Sequence, residues 1–247
     1  MAGAGTGVDF ARERGQATRA QDARAPMAVL RGIRAATMAE LAGCRIVADA
    51  LAGRSRSEDY ISYLTSVFHY ARFSPVIMAA AASRCSQSHP ELSAYLLKHA
   101  AEEQGHDVWA LEDLAKLGVP ADQIRRARPA PACAALVGYV HNLATIGNPI
   151  AIFGWMYILE AVGSDIGVAA GEKLDAAHGG ADAPIHFVAG HGEADADHTV
   201  EIEAQIEAHL EHDTDRADVC ETARVVSWLY TTMFRQVGNE TAQWQSP

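Results

Sequence analysis

Strand-like alternation of apolar and polar residues is missing from this 247-residue chain, and Gly/Pro breaks are few, which leaves helices as its organising element. CxxC spacing is missing as well. The four cysteines, Cys44, Cys85, Cys133 and Cys220, stand far apart, so the sequence offers neither a zinc knuckle nor a disulfide framework. A reducing cytoplasm is the expected location. Positive charge is scarce: 20 Lys+Arg against 31 Asp+Glu give a net charge of −11. That balance argues against a nucleic-acid partner, because a phosphate backbone needs a basic face. No apolar run reaches the roughly 20 residues of a spanning helix. The most apolar stretch, Ile150–Gly163, is interrupted by Glu160, so a membrane is not an expected partner either. Residues 1–26 lack the apolar segment of a signal peptide, and Asp9, Glu13 and Asp22 fit poorly with a transit peptide. They read as a flexible N-terminal tail ahead of a single domain over residues 27–247.

What is present is an ordinary globular composition, 49% hydrophobic and 21% charged, in a chain long enough to bury a sizeable core. Helical spacing predicts segments over Ala28–Leu51, from Ser57 to Ser74-Pro75, from Pro90 to Gly118, over Cys133–Ile146 and Asn148–Lys173, and over roughly 187–212 and 214–243. A Gly/Ala/Asp/Pro loop falls near 176–184. The expected fold is all-α, a bundle of about eight helices.

Eleven histidines in an acidic chain direct attention to three constellations. The first is the run His191-Gly-Glu-Ala-Asp195-Ala-Asp-His198. At about 100° per residue, positions 0, 4 and 7 fall within about 60° of one another, so the three side chains share one stripe of a helix. Two imidazoles and a carboxylate so placed suit a divalent transition metal. A polar helix that happens to carry histidine, as at His209 and His212, is the plain alternative. Gly190 and Gly192 flank His191 and weaken the helix there.

The second is His99-Ala-Ala-Glu102-Glu103-Gln-Gly-His106 in the segment from Pro90 to Gly118. Glu103 and His106 form the E-x-x-H pair of carboxylate-bridged di-iron bundles, Glu102 at i−4 is nearly as well placed, and His99 lies one or two turns away near the same face. A charged exposed face explains the same letters. The third is Glu160, the one charge in a segment apolar on every side. Burying an unpaired carboxylate costs several kcal/mol or more, so it needs a partner: a metal cation, His141 on the preceding helix, or a place nearer the surface. Taken jointly, Glu103, His106, Glu160, His191, Asp195 and His198 supply three carboxylates and three imidazoles. Six such ligands suit two octahedral-leaning ions, iron or manganese ahead of structural zinc.

With Tyr60-Ile-Ser-Tyr-Leu, the His99–Asp107 run, Tyr157-Ile-Leu-Glu160 and the H-x3-D-x2-H helix in view, the sequence resembles the heme-oxygenase-like di-iron oxidase/oxygenase family, over most of residues 28–240. The resemblance implies a heme-oxygenase-like fold, two Fe(II), O2 as co-substrate and oxidation of a small organic substrate by N-oxygenation, hydroxylation, desaturation or C–C cleavage. It further implies an external electron donor and a homodimer. Several relatives carry the first Glu two turns before its His, where this chain has His99, which leaves Glu103, Glu102 and His99 open for that place. No histidine occurs in Leu30–Gly43, where heme oxygenases carry their axial ligand. The fold also hosts thiaminase-type hydrolases with a nucleophilic cysteine, for which Cys133 is the candidate, and a non-catalytic metal- or ligand-binding bundle is a third class. Tyr157, Trp155, Tyr139, His141, His69 and Tyr70 are the candidate pocket residues, and core packing explains them equally well.

Overall fold

The structure is a computed structural model that describes residues 6–178 and 183–238, with the side chains of 6–14, 177–178 and 192–195 outside the description. Among the described residues every regular element is helical: α1 (Thr6–Arg24), α2 (Pro26–Ala42), α3 (Arg45–Leu51), α4 (Ser57–Ala71), α5 (Ser74–Cys85), α6 (Pro90–Glu102) and α7 (His106–Lys116). The remaining helices are α8 (Ala121–Arg126), α9 (Pro131–Thr145), α10 (Ile152–Val162), α11 (Val168–His178), α12 (His186–His209) and α13 (Asp213–Val237). A 3₁₀ turn, Pro149–Ala151, leads into α10, and a π-helical turn, Gly163–Gly167, joins α10 to α11.

The scarce prolines sit where they cost least. Pro26, Pro90 and Pro131 each open a helix, where a missing N–H leaves no hydrogen bond unmade and the fixed φ suits the first turn. Several long predicted segments are in fact broken. Ala28–Leu51 divides at Gly43-Cys44, and the segment from Pro90 to Gly118 divides at residues 103–105, where Gly105 takes a φ of 99°. Only glycine enters that left-handed region at low cost, so α6 stops and α7 restarts in a new direction.

α10 is the central helix. All its residues except Leu159 are buried, and α13, α12, α2 and α9 pack around it. The apolar stretch is longer than its sequence suggests, because the π turn carries it on. Pro149–Ala176 passes the length and composition test for a membrane-crossing helix with a mean hydropathy of 1.3, yet 67% of that window is buried inside the bundle. It is the core helix. Gly154 lets α10 and α13 approach: a Cβ there would stand 2.1 Å from the Val219 carbonyl oxygen and 2.8 Å from the Ala223 amide nitrogen. All four cysteines are buried.

The described part of the N-terminal segment differs from the tail expected of it. Thr6–Arg24 is helical, and its last turns are held on α13 by a buried Asp22 that accepts from Arg224 at 2.6 and 2.7 Å, and by an Arg19–Asp218 pair at 2.7 Å. Arg19 and Asp22 are thus complementary in charge to Asp218 and Arg224 of α13.

Near the start of α4, the buried Asp59 accepts paired hydrogen bonds from Arg45 and Arg56, all between 2.8 and 2.9 Å. These two guanidiniums hold its carboxyl well below the usual carboxylate range. A depressed folded-state pKa stabilises the fold fully above the unfolded value of about 3.9 and loses that contribution as pH falls towards the folded value. Asp59→Asn is therefore expected to lower the unfolding free energy by about 1–2 kcal/mol at neutral pH. Urea titrations should show this gap closing progressively below about pH 4. A gap unchanged at pH 2.5 would contradict the assignment.

Candidate metal centre

Four helices bring acids and imidazoles to one place. Glu103 ends α6 and His106 begins α7, so the two face each other across the Gly105 break instead of along one continuous helix. The predicted E-x-x-H pair is thus met by a different local structure from the one its spacing suggests. Glu160 comes from α10, and His191 and His198 from α12. His99, two turns into α6, is 1% exposed and belongs with them.

The donor atoms fall into two groups, each with its atoms within 4.8 Å of one another: His99, Glu103, Glu160 and His198 in one, Glu103, His106 and His191 in the other. Glu103 is common to both. Glu160 lies between two imidazoles, with Oε1 3.2 Å from His99 Nε2 and Oε2 3.2 Å from His198 Nδ1. Burial works to raise its pKa, but His198 and His99 outweigh burial and keep the carboxyl below its usual range. His198 answers in kind: burial works against its proton, and Glu160 more than compensates, so its pKa rises. His191 is lowered, chiefly by burial.

Its Nδ1 lies 3.2 Å from the Phe187 carbonyl oxygen, four residues back, which assigns Nδ1 as donor and leaves Nε2 free to face the centre. The fully buried Asp113 fixes the start of that helix by accepting the amides of His186 at 3.0 Å and Phe187 at 2.8 Å. Trp109 packs on the His106 ring at 4.1 Å between centroids and on His191 at 5.7 Å. Gly190 makes room for it, since a Cβ there would lie 2.9 Å from the indole. One flanking glycine of His191 therefore has a packing reason.

The residues present fit a pair of cations. His99 Nδ1, Glu103 Oε1 and His106 Nδ1 are buried without a hydrogen-bond partner among the described residues. Glu103 Oε1 and His106 Nδ1 stand 3.0 Å apart in a geometry that makes no hydrogen bond, as two donors aimed at a common centre would. Mixed imidazole and carboxylate donors are the set that iron and manganese take. Glu102 stands at the rim, 37% exposed, 3.7 Å from His198 Nε2 and 3.5 Å from Lys98. Asp195 lies on α12, but its side chain is outside the described residues. Sequence spacing ranked His99 behind Glu103, because a helix read as continuous hid how α6 ends.

Beside the two groups opens a cavity of about 120 Å³. His99, Glu103, Glu160 and His191 stand in its wall, and the rest is mostly apolar, including Ile46, Met78, Val162, Leu174 and Phe187. The π turn contributes Gly163, Ile166 and Gly167, and is tied to α2 by Asp165, which accepts from Arg34 Nε at 2.8 Å. Such one-turn π insertions recur at functional sites.

Of the candidate pocket residues, Trp155 and Tyr70 line this cavity. Tyr157 does not: it is fully buried and donates to Glu203 at 3.1 Å. Tyr139 faces Thr222 at 3.4 Å, His141 is exposed, and the buried His69 packs edge-on against Phe68; none of the three is in the cavity wall. Glu160 therefore pairs with His99 and His198, and His141 is no partner for it. Cys133 is fully buried on α9, its thiol directed to the Ser66 carbonyl at 3.6 Å and pushed by burial up to about 12. That is a packed thiol, outside the cavity wall.

The helical bundle around a central helix has the heme-oxygenase-like fold. A domain of unknown function with a heme oxygenase-like fold from Shewanella denitrificans OS217 superimposes with a TM-score of 0.76 at 20% identity, covering 85% of this chain and 90% of that one. A TenA homologue from Pseudomonas syringae pv. tomato DC3000 gives 0.71 at 14% identity, with 86% and 91% covered. A TenA homologue from P. horikoshii OT3 gives 0.65 at 16%, with 86% and 97% covered. At these identities the likeness is one of fold. The sequence profile of the iron-containing redox enzymes matches residues 61–231, and the chain belongs to that family. No curated protein matches the sequence.

Proposed function

We infer that the chain is a non-haem di-iron oxygenase or oxidase that uses O2 to oxidise a small organic substrate held in the cavity. The observation that carries this reading is the pair of donor groups sharing Glu103 in the wall of a largely apolar cavity. His99, Glu103, Glu160 and His198 would hold one iron, and Glu103, His106 and His191 the other, with Asp195 a further candidate on α12. When bound, iron supplies one-electron redox chemistry with O2 at this place. The protein's own part is positional. The Phe187 carbonyl sets the His191 tautomer, Asp113 anchors the helix that bears His191 and His198, and Trp109 keeps the His106 ring in place. The apolar wall keeps bulk water from the reacting groups and lowers the local dielectric, which strengthens every charge interaction there.

Anaerobic Fe(II) titration followed by mixing with O2, read by Mössbauer spectroscopy and stopped-flow absorbance, tests the reading. About two Fe per chain and an O2-dependent optical transient are expected. Cys133→Ser should leave both unchanged, since its thiol lies outside the wall. Uptake of no iron, or turnover that survives complete chelation and disappears with Cys133→Ser, would replace the di-iron reading by the thiaminase-like one. Iron uptake without any O2-dependent change would leave a binding bundle.

A further inference from the structure

At the opposite end of α6 from the centre, a second pocket of about 160 Å³ opens, and every residue of its wall is polar: Ser88, His89, Glu91, His209, Glu211 and His212. None of them belongs to the donor groups of the centre, and no Lys or Arg stands among them. His89 precedes α6 and His209 closes α12, so at about 1.5 Å per residue the pocket lies about 15 Å along each helix from His99 and His198. Capping does not account for the imidazoles. His89 and His212 both stand at N-cap positions, where Ser, Thr, Asp or Asn is favoured, and neither makes a side-chain capping bond. Nor does the pocket suit an anion, because Glu91, Asp213 and Asp215 already meet the positive ends of α6 and α13 in their first turns.

The arrangement is one that suits a cation. His89 Nε2 faces the buried Asp215 Oδ2 at 3.3 Å, and Asp215 is fixed in turn by the Asn148 amide at 2.8 Å. A carboxylate at the outer nitrogen is the usual support of a metal-bound imidazole. It leaves His89 Nδ1, 3.0 Å from Oγ of the wall residue Ser88, as the nitrogen for an ion. The His212 ring stands edge-on to His89 at 5.9 Å between centroids. With metal–nitrogen distances of about 2.0–2.1 Å, two imidazoles on one tetrahedral ion have centroids about 5–6 Å apart. We propose that this pocket is a second metal site, which takes one Zn(II)-like divalent cation through His89, His209 and His212, with Glu91 or Glu211 as fourth donor. The three imidazoles are not gathered within 4.8 Å of one another as the centre's donors are. The half-buried His209 and the exposed His212 close on the ion by side-chain rotation. Fe(II) stands below Zn(II) in affinity for such nitrogen donors, so this site and the centre differ in the ion they prefer. The bound ion ties the turn before α6 to the turn between α12 and α13.

The test titrates the full chain, free of any histidine tag, with Zn(II) and counts bound zinc after gel filtration, while NMR follows the imidazole nitrogens. Wild type is expected to hold about three equivalents, two at the centre and one here, with the His89, His209 and His212 signals shifting together. His209→Asn/His212→Asn, two changes outside the core, should lose one equivalent and keep the rest. Its affinity should fall by more than about 100-fold, since even the outer partner of a ligand is worth about 10–100-fold. Asp215→Asn should weaken the same equivalent by about 10–100-fold and leave the others as they are. An equal zinc count in wild type and the double variant, or a lost equivalent that leaves the three imidazoles unmoved, would overturn the proposal. A wild-type total of one that falls to none in the double variant would remove the dinuclear centre and leave this site standing.

Discussion

Glu103→Ala is expected to abolish both metal equivalents at once. Each of the other described donors belongs to one group, whereas Glu103 is shared. Losing even a hydrogen-bonding partner of a ligand costs about 10–100-fold in metal affinity, so removal of a shared ligand should cost more than about 100-fold at each position. The stability readout should move in opposite directions with and without metal. Wild type gains about 2.7 kcal/mol when a cation stands at 100 times its Kd, and the variant gains nothing. Without metal, the variant loses only a buried carboxylate whose Oε1 has no hydrogen-bond partner, and should be no less stable than wild type. Glu102→Ala, at the exposed rim, should retain both equivalents. Calorimetric Fe(II) titration with thermal melts of both forms reads all of this, and two tight equivalents in Glu103→Ala would refute the shared-carboxylate arrangement.

Gly154→Ala is the second large effect, and it lies away from the donor atoms. The new methyl would stand 2.1 Å from the Val219 oxygen and 3.1 Å from Thr222 Cβ, backbone and branched carbon that cannot swing aside. α10 and α13 must separate, and the cost of such overpacking is about 3 kcal/mol or more. In a chain of this size that corresponds to a fall in Tm of roughly 6–12 °C. Because Glu160 rides on the same helix, metal affinity should fall with stability. Gly32→Ala makes the contrast: its Cβ meets nothing within 4 Å in α2, so the exchange should stabilise by about 0.5–1 kcal/mol. Denaturant titrations of the two variants must give opposite signs for the helix-crossing account to stand.

The fold was readable wherever a local rule decided it. Pro90 marks a helix start, and the apolar letters around Glu160 announce a buried helix. His191 and His198 share a stripe because one helix carries both. What could not be read depends on single backbone angles and on long-range meetings. Gly105 at positive φ turns an apparently continuous helix into two, and that turn brings His99 and His106 to opposite sides of Glu103. No hydrophobic period signals the π turn at Gly163–Gly167, since it changes the winding for five residues only. Tyr157 looked like a pocket residue by its neighbours, but its partner Glu203 lies 46 positions away on α12. The N-terminal helix was likewise hidden in charges whose complements, Asp218 and Arg224, are about 200 residues distant.

The burial of Cys44, Cys85, Cys133 and Cys220 has a practical consequence for spectroscopy. Thiol-directed reagents meet a silent background in the folded protein, so a cysteine introduced at an exposed position such as Ser86 or Glu172 can carry a nitroxide label by itself. Paramagnetic distances from that label to the centre then become measurable without first stripping the native thiols.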